Sequence, residues 1–454
     1  MNAKINSLFG IFLSLICALA QPMMAADIDI GEPFELSKRL DLDIDPAKVV
    51  FGGSSIFVIG SRGNGRGAIL RLSHDLNLEA RQDLNFEPQD LTMDPTEELF
   101  FLVGETKGTS VVRVLNSKLD VLGFVDLRRK LAFPSLSVTN SHQVIVGSVP
   151  TASASGAFVT VDASDPTDLR EDNKFYVARA WKGMTDAWLS EDQNTIFING
   201  APEIGLYAVD ITKERLLSDI SYTNRRSSNV QQPFSVYGLT SDMTCREGLG
   251  SSFIVADNER DTLMLVGYDM RFRSLNIEAQ INFTPRIDKG ATSSLMAGTN
   301  IPRSDVLIAS SCTQSTVLVG SHVSKDLVQF ARNPNSSALE QVGKFELRDF
   351  PTGIFLSRDG KMAVVIPSTG QRIDKFVQPN ADAGQSKIIG DDLVRELQRK
   401  LASLGYSVGF IDGDFGPNTL QSVTLAQKQL GFQVPDLRDA QAVLEALQKF
   451  KPKK

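Results

Sequence analysis

The 454-residue chain has few of the residues that build metal sites or nucleophilic active sites. It contains three histidines, three cysteines and two tryptophans. The histidines (His74, His142 and His322) fall in different parts of the chain, and none has a second metal-type ligand at close spacing. No Gly-x-Ser-x-Gly elbow is present, and the glycine-rich residues 60–67 lack the Gly-Lys-Ser/Thr ending of a phosphate loop. We therefore predict no metal site, no cofactor and no catalytic residues.

The chain also lacks a positive charge excess and has only one sustained apolar run. Its net charge of −7 argues against a broad nucleic-acid-binding face. The apolar run, residues 8–20, follows Lys4, ends in a small-x-small cleavage pattern and is too short to span a bilayer comfortably. We predict that residues 1–26 are an export signal, with an uncleaved anchor as the alternative. The mature protein would then have no transmembrane segment and would be periplasmic.

Removal of this signal would leave two cysteines, Cys245 and Cys312. In an oxidising compartment such a pair can form a disulfide. Two separate thiols fit the sequence equally well, so both possibilities stay open.

Residues 34–376 carry a repeated β pattern. Short runs rich in Val, Ile, Phe and Leu alternate with Gly, Asn, Asp and Ser turns. Each unit begins with a Pro or Gly, then a short apolar strand, a polar turn and a strong strand. The unit starts are Pro46, Pro88, Pro134, Gly183, Pro233, Gly290 and Pro351. The strong strands are 55–60, 98–104, 143–149, 195–200, 252–257, 305–311 and 362–368. Spacings of this size, with several strands per unit, are typical of a β-propeller, here with seven blades.

The seventh unit reaches a linker before an outer strand appears. A segment resembling the outer strands of the other units, residues 34–42, lies at the mature N-terminus. We expect this segment to complete the last blade, because closing the ring removes exposed sheet edges.

The seventh unit also carries a family resemblance. Residues 350–376 contain Pro-x-Gly, an apolar strand, Ser-x-Asp-Gly-Lys at 357–361 and a Val-rich strand. This order resembles the repeat of the YVTN and lactonase-like propellers. The resemblance implies a ring-shaped scaffold, and it makes hydrolysis of a lactone, ester or sugar an alternative function.

Propellers usually bind ligands at the mouth of the central channel, where the inner strands begin. Charged or aromatic residues near these positions are Asp90, Trp181, Lys182, Asp186, Arg286, Lys289 and Arg348. They could form a polar pocket for an envelope protein or a glycan, or they could be a solvated rim.

The periodicity changes beyond the β region. Residues 377–390 are rich in Pro, Gly, Asn, Ala and Ser, which predicts a linker. Leu393, Leu397 and Leu401 then share one helical face, and two further apolar stripes follow. These patterns predict a small three-helix domain over 391–448, followed by a basic tail at 449–454.

The segment also carries a set of motif residues: Leu397-Gln398, Leu404-Gly405-Tyr406, Asp412-Gly413-Asp414-Phe415-Gly416, Thr419, Gln427 and Gly431. In identity and spacing these residues closely resemble the type 1 peptidoglycan-binding domain. Ala426 departs from the aromatic that the family often has there, and residues 434–441 lack a second Asp-Gly loop. The resemblance implies peptidoglycan binding. The polar candidates for a muropeptide groove are Tyr406, Asp414, Asn418 and Gln427.

The sequence therefore predicts a mostly β protein, with a seven-bladed β-propeller followed by a small three-helix C-terminal domain. The predicted function is that of an exported envelope protein, tethered to peptidoglycan by the small domain. Its propeller would be a non-catalytic platform for an unidentified envelope protein or glycan. The alternatives are a wall-tethered, lactonase-like hydrolase and a small domain that docks a protein.

Overall fold

The structure is a computed structural model with 28 strands and three helices in the part of the chain that it describes. The described residues are 33–94, 98–138, 142–149, 158–175, 186–190, 194–199, 205–210, 213, 215–221, 235–238, 252–257, 262–282, 306–311, 316–321, 324–332, 339–379, 388–404, 406, 408, 415, 417–434, 437 and 440–450.

The strands form seven four-stranded antiparallel sheets, each of which is one propeller blade. Blade one contains β2 (Asp45–Phe51), β3 (Ser55–Gly63), β4 (Arg66–Ser73) and β5 (Leu78–Leu84). Blade two contains β6 (Glu87–Met93), β7 (Leu99–Thr106), β8 (Thr109–Asn116) and β9 (Val121–Asp126). Blade three contains β10 (Ala132–Val138), β11 (Gln143–Val149), β12 (Phe158–Asp162) and β13 (Arg170–Phe175).

The next three blades repeat this consecutive order. Blade four contains β14 (Asp186–Leu189), β15 (Thr195–Asn199), β16 (Gly205–Asp210) and β17 (Arg215–Ser221). Blade five contains β18 (Ser235–Gly238), β19 (Ser252–Asp257), β20 (Thr262–Asp269) and β21 (Ser274–Asn282). Blade six contains β22 (Val306–Ser310), β23 (Thr316–Ser321), β24 (Ser324–Arg332) and β25 (Leu339–Glu346).

The seventh blade combines both ends of the propeller sequence. It contains β26 (Pro351–Leu356), β27 (Met362–Pro367), β28 (Arg372–Val377) and β1 (Glu35–Asp41). The strand β1 pairs antiparallel with β28 as the outer strand, so the predicted closure by the N-terminal segment is confirmed. Two lysines of the seventh blade also bond to blade one. Lys375 Nζ donates to the carbonyl of His74 at 2.7 Å, and Lys38 Nζ donates to the carbonyl of Asp75 at 2.5 Å.

The core of the ring lies between neighbouring blades. Second strands such as β7 and β23 are buried almost throughout, which explains their continuous apolar sequences. Phe101 and Val103 of blade two share one cluster with Val144 and Val146 of blade three. Burial of each such side chain contributes roughly 1.5–3 kcal/mol, so neighbouring blades stabilise one another.

The proline that begins a repeat marks the first strand of its blade. The first strand of blade two, β6, contacts the first strands of both neighbouring blades, β2 and β10, which places these strands innermost. Pairing shifts register directly after Pro46, Pro88 and Pro351. A β-bulge tolerates proline because the missing N–H is not needed for the ladder there.

A second repeating feature follows the first strand in four blades. A side-chain oxygen accepts the N–H of the residue five positions later, in the turn to the second strand. The pairs are Asp94 with Leu99 (2.9 Å), Ser190 with Thr195 (3.0 Å), Ser311 with Thr316 (3.0 Å) and Ser357 with Met362 (2.9 Å). The Ser-x-Asp-Gly-Lys motif at 357–361 is therefore one example of a turn brace that recurs around the ring.

One unit boundary was predicted wrongly. Residues 305–311 were expected to hold the strong second strand of the sixth unit, with Gly290 as its start. The structure instead makes β22 the first strand of blade six, and the fully buried β23 its second. The error arises because an innermost strand packed against its neighbours is as apolar as a second strand. Residues 283–305 therefore connect β21 to β22.

The C-terminal domain contains α1 (Ile388–Ser403), α2 (Pro417–Leu430) and α3 (Ala440–Leu447). Its core includes Leu397 and Leu401 of α1, Val423 of α2 and Val443 of α3. The strand β28 ends at Val377 and α1 begins at Ile388, within the range predicted as linker. Of the helices in the described part, none is both long and apolar enough to cross a membrane.

The first helix also approaches the propeller. A Cβ placed on Gly53, in the first turn of blade one, would lie 2.6 Å from Arg395 Nη2. The guanidinium of Arg395 therefore rests directly on the backbone of this glycine, and one face of α1 is turned toward the ring.

Candidate functional site

A buried polar contact joins the first two helices of the C-terminal domain. Gln398 Nε2 donates to Thr419 Oγ1 at 3.1 Å, and both residues are fully buried. Each is a residue on which the peptidoglycan-binding resemblance rests. Because a buried amide needs partners, this bond fixes how α1 and α2 pack. The role of these two motif residues is structural.

Tyr406 lies at the C-terminal end of α1 and faces the end of α2. Its backbone N–H donates to the carbonyl of Leu401 at 3.1 Å, and its side chain packs partly buried against the helical core. Its hydroxyl donates to Gln429 Oε1 at 3.2 Å in an exposed position. The Tyr406 side chain therefore combines a partly buried apolar ring with a hydroxyl group that is exposed to solvent.

Of the four predicted groove residues, Tyr406 and Gln427 can be compared, and they are not brought together. Gln427 is two positions from Gln429, and in a helix that separation turns a side chain roughly 160° away. Tyr406 therefore contacts the face of α2 opposite to Gln427. Asn418 lies in the first turn of α2, roughly 16 Å along the axis from Gln429, with its side chain outside the described atoms. Asp414 lies outside the described residues.

Sequence reasoning missed the exposed face of α2. This face consists of Gln421, Leu425, Lys428 and Gln429, all of them exposed, and Leu425 keeps 43% of its surface open to solvent. Helical positions i, i+4 and i+7 place these side chains side by side. A helical projection of α2 would have shown that Leu425 is an isolated leucine on the polar side of the helix.

Asp90, which was predicted to lie at the propeller mouth, bridges three blades. Its carboxylate forms an ion pair with Lys48 Nζ of blade one. Its Oδ2 accepts the N–H of Leu136 in blade three at 2.6 Å. The Asp90 side chain is 7% exposed, whereas that of Lys48 is 34% exposed. These bonds couple the inner strands of neighbouring blades, and ligand contact by Asp90 stays a prediction.

Arg348 is exposed in the connection between β25 and β26, at the start of the last inner strand. Its neighbour Asp349 accepts a hydrogen bond from Arg372 Nη2 at 2.5 Å. Burial opposes ionisation of Asp349, but hydrogen bonds from Thr369 and Arg372 hold its pKa below the ordinary value. The connection between β25 and β26 therefore carries a paired carboxylate beside an exposed arginine.

The remaining predicted mouth and disulfide residues are only partly located. Asp186 is the first residue of β14 and is paired with Asn199, but its side chain is outside the described atoms. The others lie outside the described residues: Trp181, Lys182, Arg286, Lys289, Cys245 and Cys312. Arg286 and Lys289 fall in the connection 283–305, before the inner strand of blade six.

Two of the histidines are located. Burial lowers the pKa of His74, helped by the charge of Lys375. His142 Nε2 lies 3.4 Å from Oδ2 of the buried Asp94. Within the described ranges, no group of three or more His, Cys, Asp or Glu side chains is placed to hold a metal ion.

Comparison with known proteins separates the two domains. Residues 390–436, which include α2 and all but the start of α1, match the family described as "Putative peptidoglycan binding domain". Among curated proteins, the comparison finds no match.

The propeller resembles solved β-propellers. The Myceliophteria thermophila Cps50 (Swd1) β-propeller domain has 11% identity and a TM-score of 0.54, covering 76% of this chain and 100% of its own. Kuenenia stuttgartiensis hydrazine synthase has 10% identity and a TM-score of 0.51, covering 76% and 99%. The RRP9 WD40 repeats have 8% identity and a TM-score of 0.50, covering 76% and 100%. At such low identity the likeness shows the fold alone.

Proposed function

We propose that the chain is an exported, periplasmic cell-envelope protein that binds peptidoglycan through its C-terminal domain. The observation that carries this proposal is the agreement between the family match at 390–436 and the folded helices α1 and α2. The motif residues Gln398 and Thr419 form a buried bond, so they help to hold α1 and α2 together within the matched segment. The N-terminal apolar run supports export.

The propeller would be a non-catalytic platform for a protein or glycan of the envelope. Its closed ring and its bonds between inner strands favour a rigid scaffold. Attachment to the wall raises the local concentration of such a platform near partners held at the same surface. Arg348 and the other predicted mouth residues are candidates for that contact.

Fractionation of cells that produce the protein tests the proposal. The full chain should lose its first residues, reach the periplasm and remain with the cell-wall fraction. A chain ending at Asn380 should be exported but appear in the soluble periplasmic extract, because the ring closes through β1 and β28 without the helices. Equal wall retention of both chains would contradict the tethering role of the small domain.

A further inference from the structure

We propose that the exposed face of α2 binds the stem peptide of peptidoglycan. Leu425 would contact an apolar part of the peptide, Lys428 one of its carboxylates, and Gln429 with Tyr406 its amides. This inference rests on the proposed function and names the ligand chemistry and the residues of that same domain.

The charge distribution of the domain favours an anionic ligand at this face. The helix α2 has no acidic residue and carries Lys428 in its last turn. Its neighbour α1 carries three acidic residues (Asp391, Asp392 and Glu396) and three basic ones (Arg395, Arg399 and Lys400), and α3 carries Glu445 and no basic residue. The whole chain has a net charge of −7. On a helix without carboxylates, a peptide carboxylate can pair with a lysine and is not repelled by an acidic side chain of that helix.

The geometry favours a peptide. Gln429 and Tyr406 are already hydrogen bonded at 3.2 Å, and Gln429 lies one helical turn after Leu425 on the same face of α2. An amide and a hydroxyl match peptide groups, and the exposed Leu425 beside Gln429 on the same helix face matches the alanine side chains or methyl groups of a short peptide. The face is also accessible, since Leu425 is 43% exposed in the full chain, with Arg395 of α1 resting on Gly53 of the ring.

The test is pelleting of the full mature chain with intact peptidoglycan sacculi. The variants are Lys428→Gln and Leu425→Ser, and the matched controls are Lys449→Gln, outside the face, and Leu216→Ser, on an outer propeller strand. Since an exposed ion pair contributes about 0.2–1 kcal/mol, Lys428→Gln should weaken binding about 1.4- to fivefold. Lys428→Arg should restore binding, and both controls should bind like the parent chain.

A second arm identifies the ligand. Glycan strands that an amidase has freed of their stem peptides are soluble, so they are attached to beads, and these beads should retain much less of the full chain than beads that carry strands with their stem peptides. Undiminished retention on these glycan strands would overturn the stem-peptide proposal, as would equal binding by Lys428→Gln, Leu425→Ser and their controls. A parent chain that fails to pellet with intact sacculi would instead contradict the proposed function itself.

Discussion

Gln398 and Thr419 join the first two helices of the C-terminal domain through a hydrogen bond of 3.1 Å between fully buried side chains. Both residues belong to the pattern that marks a peptidoglycan-binding domain in the sequence. The bond shows that part of this pattern exists to fix helix packing, and that ligand contact has to come from other residues.

Gln398→Ala should destabilise the small domain. Loss of a buried hydrogen bond, with a polar partner left behind, costs about 1–3 kcal/mol. Hydrogen exchange of the α1 and α2 amides, followed by mass spectrometry, should accelerate in this variant. The exposed Gln421→Ala should leave exchange unchanged, and similar protection in both variants would show that the Gln398 bond contributes little.

Asp90→Ala should destabilise the propeller. The change removes the acceptor for the Leu136 N–H and the partner of Lys48, and we expect a loss of about 1–3 kcal/mol. Asp90→Asn should cost less, because an amide oxygen can still accept the N–H. Urea unfolding followed by tryptophan fluorescence measures both effects, since the two tryptophans lie in the propeller sequence.

The exposed Asp83, which is paired with Arg62 and Arg81, supplies the control for this series. Asp83→Ala should cost less than either change at Asp90, because exposed ion pairs contribute little. An equal cost for Asp83→Ala and Asp90→Ala would argue against a brace between the inner strands.

Stability should fall in mild acid because of His74. Burial lowers the pKa of His74 below 6.5, and Lys375 adds to this effect against the opposing Gly52 hydrogen bond and the carboxylates of Asp359 and Asp75. The unfolded chain therefore binds a proton first as the pH falls. The stabilisation is complete above about pH 6.5 and is lost as the pH falls from there toward the lower folded pKa.

His74→Gln should reduce this pH dependence. The difference in unfolding free energy between pH 7.5 and pH 5 should be smaller in His74→Gln than in the parent chain, as measured by urea unfolding. The control is His142→Gln, which removes a histidine at another position of the ring. An identical pH dependence for the parent and His74→Gln would show that His74 is not the responsible group.

The propeller could be predicted from sequence because each blade repeats the same physical pattern. Prolines mark first strands, and an unpaired N-terminal segment implied closure of the ring, as the pairing of β1 with β28 confirms. The sixth unit could not be placed, since periodicity alone does not tell an innermost strand such as β22 from a second strand such as β23.

The candidate sites were less predictable than the fold. The partners of Asp90 in other blades lie 42 and 46 positions away along the chain, and no local pattern connects them. Tyr406 was recognised from its motif. Its hydrogen bond to Gln429 could not be predicted, because it depends on the angle at which α2 crosses the end of α1. A helix projection orders the residues of α2 but does not show which side of that helix Tyr406 meets.

The central claim is that the C-terminal domain tethers the chain to the wall. The most direct measurement is co-sedimentation of purified mature protein with peptidoglycan sacculi, beside the chain that ends at Asn380. The account predicts that the full chain pellets and the shortened chain stays in the supernatant. Pelleting of both chains to the same extent would contradict it and would assign wall binding to the propeller.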